Sequence, residues 1–418
     1  MASTDEVLII GAGVAGLCLA QGLHHRGIPF RVFERDESLA DKSQGYRFRL
    51  VHPGLEALER TLSPELWALL ERTCARGSPP DLLRLDARTG ATVLASPAEG
   101  ETDRERRCYP IDRPWLRELL SLGVGDRVEF GRGVAGYEFT DDGRIRATFD
   151  DGTASAPGAL LVAADGVHSR VRRARFPTGR RGHLDVRRTV LWGRTPLTPA
   201  FEARFARPDV LANHFAYMAD PQAPARSCLF APLRWPAEGV AALSGGRLSD
   251  RSDYMFWALT FETPADGLGG INAGPAARGT HALDVTKDWM PNLRALFEMR
   301  DADSLYAVRV ESNAPDIAAW ETDPRLTFVG DAIHAMSPSG GSGGLTAVQD
   351  VADLCDALVD AGFGKEEGGR DPEKTRRCLE VYEDKMRVRA KAALERSFRG
   401  GKAIWAGSDW WEYDYIQP

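Results

Sequence analysis

The stretch 6–36, EVLIIGAGVAGLCLAQGLHHRGIPFRVFERD, decides the fold. Val7 to Ile10 is a run of branched apolar residues, the pattern of a strand buried on both faces. Gly11-Ala12-Gly13-Val14-Ala15-Gly16 follows without a spacer. A helical pattern then runs to Arg26, with Val14, Leu17, Ala20 and Leu23 three residues apart. Gly27 suits a left-handed C-cap, and Pro29 prevents continuation. Phe30 to Phe33 is a second strand, ending at Glu34. In this unit Gly11 permits the tight turn, Gly13 leaves room for a pyrophosphate against the backbone, and Gly16 lets helix and strand pack closely. The free N–H groups at the helix start then hold phosphate. Glu34 lies 23 positions after Gly11, where an acid accepts hydrogen bonds from a ribose diol, with Arg35 beside it. The unit predicts a site for the ADP half of a dinucleotide and leaves NAD and FAD both open.

Context separates this motif from a second match, Gly131-Arg132-Gly133-Val134-Ala135-Gly136. That one runs into Tyr137, Phe139 and an Asp-Asp-Gly turn instead of a helix, and it reads as a hairpin connection.

Composition sets the outer bounds. A chain of 418 residues supports two joined domains and a large core. A net charge of −7 makes nucleic acid and anionic membrane poor partners. The basic run Arg170 to Arg188 is either a solvated face or a funnel for an anionic ligand. The six cysteines show no C-x-x-C pair and no metal-ligand spacing, so a reduced protein without a bound metal is expected. The glycine motif starts close to Met1 and no apolar run is long enough to span a membrane, which predicts a cytoplasmic location.

Farther along, Arg47 and Arg49 alternate with Phe48 and Leu50 after Ser43-Gln44-Gly45-Tyr46, so both arginines share one strand face. They are surface charges or the lining of an anionic cofactor. Arg113-Pro114 opens a helix after Asp112, and an arginine there opposes the dipole unless an anion is near. The buried strand Ala159 to Ala164 ends in Asp165-Gly166-Val167-His168-Ser169-Arg170-Val171-Arg172, which puts an acid at the binding edge of the sheet. Alternating strands then appear at Val186–Trp192, His214–Met218, Ser227–Phe230 and Ser252–Phe261, predicting a largely antiparallel sheet. Its aromatic residues are core or pocket, and Tyr217, Phe230 and Trp257 are the candidates for a substrate wall. Residues 263–280, rich in glycine, proline and alanine, predict a mobile loop. The strand Arg325–Val329 leads into GDAIHAMSPSGGSGG, residues 330–344, and a helix expected to begin at Leu345. Glycines without large side chains let a flat ligand rest on backbone. A last long helix is expected from Asp371, with Pro372 at its first position, to Gly400-Gly401.

Three motifs in this order, GAGVAG with Glu34, DGVHSRVR at 165–172 and GDAIHAMSP at 330–338, resemble the single-component FAD-dependent aromatic hydroxylases that share the p-hydroxybenzoate hydroxylase fold. The resemblance covers nearly the whole chain. It implies an α/β protein with a Rossmann-like FAD-binding domain, a mainly antiparallel substrate-binding sheet domain and a C-terminal helix. The FAD-binding domain would comprise 1–75, 105–180 and 300–365, the substrate domain 76–104 and 181–299, and the helical segment 366–418. It implies non-covalent FAD with Glu34 at the adenosine ribose and Arg113 on the flavin side, and Arg47 is the further candidate for lining the cofactor. Asp165 would support the pyrophosphate and NADH or NADPH use, and Asp331 the ribityl chain. Pro338, Gly343, Gly344 and Leu345 would lie beside the flavin ring. The implied reaction hydroxylates or epoxidises a planar, electron-rich aromatic or natural product, using NAD(P)H and O2 through a flavin C4a-hydroperoxide. A monomer or homodimer is expected. No residue is assigned as catalytic, and His334 is read as structural. The family usually carries asparagine where Leu345 stands, which opens the possibility of a more mobile flavin. The competing readings are an FAD oxidoreductase without oxygen transfer and a non-catalytic flavin-binding protein.

Overall fold

The computed structural model describes residues 6–39, 47–76, 82–96, 107–176, 182–212, 215–365 and 371–416. Ser43 to Tyr46, Arg180, Arg181, His214 and Pro418 lie outside them. At the centre is a five-stranded parallel sheet in the order Leu326–Phe328, Leu160–Ala163, Val7–Ile10, Phe30–Phe33, Val128–Glu129. Val7–Ile10 and Leu160–Ala163 are buried at every residue, as central strands covered on both faces must be. One face carries helix Val14–His25, packed between Arg113–Ser121 and Gly343–Ala361. Toward the other lies the hairpin of Val134–Phe139 and Ile145–Phe149, whose Phe149 meets Phe33 edge-on at 5.0 Å. The second glycine motif therefore starts this hairpin and opens no helix.

A larger sheet has seven strands in the order Tyr306–Ser312, Leu184–Pro196, Tyr254–Glu262, Ser227–Leu233, Phe215–Ala219, Leu82–Asp86, Thr92–Ser96. All its neighbours are antiparallel except Phe215–Ala219 with Leu82–Asp86. Tyr306–Ser312 falls inside the stretch 300–365 that sequence places in the cofactor unit, yet it hydrogen-bonds to Leu184–Pro196. That boundary moves because an edge strand's membership depends on its partner and not on its own composition. A ribbon of Arg47–Val51 and Cys108–Asp112 joins the two bodies. Asp112 Oδ1 caps the helix at Arg113 by accepting from Trp115 N at 2.8 Å, while Oδ2 accepts from Tyr254 Oη at 2.7 Å.

Both faces of the large sheet are buried. Tyr254, Phe256 and Ala258 join the core of the cofactor unit. Met255, Trp257, Leu259 and Phe261 join a second core with Phe201, Leu296 and Phe297. The segment 263–280 is not simply a loop: it contains the first part of helix Pro275–Val285, started by Pro275 and buried at Gly279 and Ala282. The last helix runs Pro372–Trp405, with Asp371 Oδ1 accepting from Glu373 N. It passes through Gly400-Gly401 instead of ending there. A Cβ on Gly400 would stand 2.6 Å from Ser339 O, so this glycine serves close packing, and the helix ends at Ala406 with φ 50°.

Candidate active site: a glycine cradle facing an aromatic sheet

The three glycines of the first turn have separable roles. Gly11 has φ +102°, and a Cβ there would meet Ala164 O at 2.6 Å. A Cβ on Gly16 would overlap Gly11 O at 1.9 Å. Around Gly13 nothing lies within 4 Å of that position, so its backbone is open to a ligand. Glu34 is 4% exposed at the end of Phe30–Phe33. Its Oε2 accepts from Ala12 N at 2.5 Å and its Oε1 from Asp36 N at 3.0 Å. Each oxygen keeps a further lone pair, so the carboxylate retains acceptor capacity. Arg35 is exposed, with Nε 3.8 Å from Asp36.

Arg117 was not singled out by sequence, and the structure places it against this turn. It is 2% exposed, donates from Nε to Ala12 O at 3.1 Å, and leaves Nη2 buried with no partner among the described residues. The available signal was its position one helical turn after Arg113, beside buried Leu116 and Leu120. Burial pushes the Arg113 guanidinium down, Asp331 counteracts that, and Arg117 adds to it.

The other motifs meet the same sheet edge. Asp165 lies against Gly11 and accepts at Oδ2 from Arg170 N and Val171 N, at 2.9 and 3.3 Å. Its Oδ1 is buried without a partner among the described residues, and burial holds this carboxyl above the usual range. Arg172 donates to Ala332 O at 3.1 Å and Val167 O at 3.0 Å, tying the second motif to the third. Asp331 opens the short helix Asp331–His334, and its Oδ1 lies 3.9 Å from where a Cβ on Gly343 would be. His334 is fully buried; its Nε2 is 2.5 Å from Asp350 Oδ2, which also accepts from Gly330 N. Arg389 of the last helix donates to Asp350 Oδ1. This network ties the short helix at Asp331 to helix Gly343–Ala361 and to the last helix. Pro338 opens a single tight turn, Pro338–Gly340, anchored by Ser337, Ser339 and Ser397.

Helix Gly343–Ala361 begins two residues before Leu345; Ser342 stands at its N-cap position, its hydroxyl donating to Gly340 O at 2.9 Å. Gly344 has Phe48 3.0 Å from its Cβ position. Leu345 turns to helix Gly54–Thr61, where its Cδ2 lies 2.5 Å from the place a Gly54 Cβ would occupy. Its side chain packs between helices.

One face of the large sheet meets the ribbon strand Arg47–Val51, whose Phe48 packs on Gly344. Arg47 lies 5.6 Å from the Phe215 ring and 5.9 Å from Phe256, and Arg49 lies 4.5 Å from Phe215. Arg47 Nε is buried without a partner among the described residues, and burial pushes its guanidinium to about 10. Tyr217 is on this face, its hydroxyl donating to Ile404 O. Phe230 and Trp257 are not. Both are fully buried in the second core, Phe230 against Phe205 and Trp257 against Phe297, with Trp257 Nε1 donating to Thr195 Oγ1 at 3.1 Å. Strand alternation explains the correction, since residues 217 and 230 sit on strands whose registers turn them to opposite faces. Phe215, Phe256 and Trp192 take the place they vacate, with Trp192 and Phe256 centroids 5.7 Å apart.

An FAD suits this site on two counts: an open backbone at Gly13, and two buried polar atoms, Arg117 Nη2 and Asp165 Oδ1, that lack protein partners among the described residues. A parallel sheet with this glycine turn, beside a mainly antiparallel sheet, is the architecture of a flavin-dependent oxidoreductase. Residues 6–186 match the FAD-dependent oxidoreductase family model, and residues 296–397 match the FAD-binding domain model. The chain belongs to the FAD-dependent monooxygenase family. It is 33% identical to a dual O-methyltransferase/FAD-dependent monooxygenase of Phaeosphaeria nodorum, over 98% of this chain and 47% of that protein. The chain thus spans about half the length of that relative. A protein described as a probable FAD-dependent monooxygenase of Arthroderma benhamiae is 28% identical, over 94% and 90% of the two chains. Among solved structures, one assigned as an FAD-containing monooxygenase from Photorhabdus luminescens superposes with a TM-score of 0.77 at 26% identity, covering 96% of this chain and 98% of that one. The 2,6-dihydroxypyridine-3-hydroxylase of Arthrobacter nicotinovorans shares the fold, with a TM-score of 0.73 at 18% identity and coverage of 98% and 95%.

Proposed function

We propose that this chain uses NAD(P)H and O2 to insert one oxygen atom into a planar, electron-rich aromatic or natural-product substrate. The observation that carries the reading is the arginine-flanked aromatic face formed by Arg47, Arg49, Phe215 and Phe256. Bound FAD supplies the redox and oxygen-transfer chemistry. In this reading Glu34 accepts from the ribose hydroxyls, and Gly13 with the start of helix Val14–His25 receives the pyrophosphate. Asp165 and Arg117 complete its polar surroundings. Asp331 holds the ribityl chain, and Pro338, Gly343 and Gly344 border the flavin ring. Arg113 belongs on the flavin side, near Asp331.

On the opposite side, flat side chains favour a flat substrate, and the desolvated Arg47 guanidinium favours an ionised phenol or another acidic group on it. The aromatic side chains of this face would limit water around the reacting atoms.

The test is a panel of phenolic and polycyclic aromatic compounds, read by NAD(P)H consumption together with product mass under 18O2. Substrate-stimulated consumption with one 18O atom in the product is expected. Turnover that consumes NAD(P)H and oxidises the substrate without label would establish an oxidoreductase that transfers no oxygen. No stimulation by any flat acidic aromatic would remove the substrate class.

A further inference from the structure

We propose that His168, His183 and Glu311 form a binding site for a divalent cation of the zinc class, at the junction of the two bodies. The three come from separate parts of the chain. His168 lies in the loop after Leu160–Ala163, His183 immediately precedes the strand Leu184–Pro196, and Glu311 is in Tyr306–Ser312. Their spacing in sequence carries no metal signature. The pairing of Asp185 with Glu311 and of Leu184 with Ser312 brings the last two together, and the 165–172 loop adds His168.

The geometry suits three ligands on one ion. One donor atom from each residue lies within 4.8 Å of the other two. Glu311 Oε2 is 3.2 Å from His183 Nδ1 and 3.9 Å from His168 Nδ1. Nitrogen and oxygen ligands at roughly 2.0–2.2 Å from a tetrahedral ion stand about 3.3–3.6 Å apart. Only a small adjustment of the exposed His168 closes the set.

Two of the donors are held in place by their surroundings: His183 is 6% exposed, and its Nδ1 faces Glu311 Oε2. Arg172 and Arg309 stand nearby, but each is engaged elsewhere: Arg172 with the carbonyls of Ala332 and Val167, Arg309 with Asp185. Calcium and magnesium need oxygen-rich anionic sets, which two imidazoles do not supply. Two imidazoles and one carboxylate suit zinc, with a fourth position left to water.

Such an ion would clamp the loop that carries Asp165 to the edge of the large sheet. It would also reach the C-terminal tail, which is paired there through Ile416 N to His183 O and Asp185 N to Asp414 O. Isothermal titration of the FAD-loaded chain with Zn2+, and optical titration with Co2+, test the site. One equivalent is expected, with a rise in melting temperature and a cobalt d–d spectrum of nitrogen and oxygen ligation. His168→Ala removes a side chain that is 69% exposed, so the fold should survive. It and Glu311→Gln should each weaken binding roughly tenfold or more. Absence of binding, or binding untouched by both substitutions, overturns the site.

Discussion

Glu34 connects the two ends of the glycine unit: its carboxylate takes the amide of Ala12 in the first turn while standing at the end of the second strand. Glu34→Ala should therefore act on FAD affinity more than on turnover at saturating FAD. The expected loss is about 1.5–3 kcal/mol, the range for a hydrogen bond to a charged group. Flavin fluorescence titration measures it, and an unchanged dissociation constant would remove the ribose assignment. His334 carries a different kind of prediction. Burial lowers its imidazole pKa, but the charge and hydrogen bond of Asp350 outweigh burial and leave it above the ordinary value. A raised folded-state pKa means that this pair's contribution is complete below the unfolded value of about 6.5 and is lost as pH rises through the folded one. The stability cost of His334→Gln should accordingly shrink as pH increases from about 6 to about 9. A cost that stays constant in melts across that range would show that the pair does not titrate.

At the scale of elements, the loop beside the proposed flavin ring is held by a helix that begins far from it in sequence. Ser397 binds Ser337 and Ser339, and Gly400 lets the helix backbone come against Ser339 O. Gly400→Ala gains helix propensity but places a methyl 2.6 Å from that carbonyl. Overpacking of this kind costs about 1–3 kcal/mol, more than the roughly 1 kcal/mol that alanine returns over glycine in a helix. A lower melting temperature with weaker FAD binding is expected. Unchanged values in both would show that the loop and helix are not coupled. Leu345 belongs to the same scale. Its place in the order of the motif suggested the flavin edge, but the helix starts at Gly343 and rotates the side chain onto Gly54.

Across the whole molecule, the proposed FAD would lie where the parallel sheet, the ribbon and the large sheet approach one another. A ligand bound only by the folded state stabilises it by mass action, by about 2.7 kcal/mol at a hundredfold excess over its Kd. Added FAD should raise the melting temperature of the flavin-free chain and return to the supernatant on acid precipitation. Flavin retained by the precipitated protein would contradict non-covalent binding. Among the described residues no helix is long and apolar enough to cross a membrane.

The sequence by itself determined the parallel sheet and its glycine turn, because their constraints are local. A strand, a turn that excludes Cβ atoms and a helix must follow one another within a few residues, and Glu34 must end the next strand. It also determined the order of the three motifs, and with it the family. Only the tertiary structure decided which face of the large sheet meets the ribbon strand Arg47–Val51. Alternation sorts residues into two sets, but both faces are buried, so composition does not mark the inner one. Phe230 and Trp257 therefore read like Tyr217 until the sheet is packed. The same limit applies to Arg117, whose burial against Ala12 depends on two helices meeting, and to Tyr306–Ser312, whose partner lies more than a hundred residues earlier. Gly400-Gly401 looks like a helix end by propensity, and the packing of Ser339 makes it a contact instead.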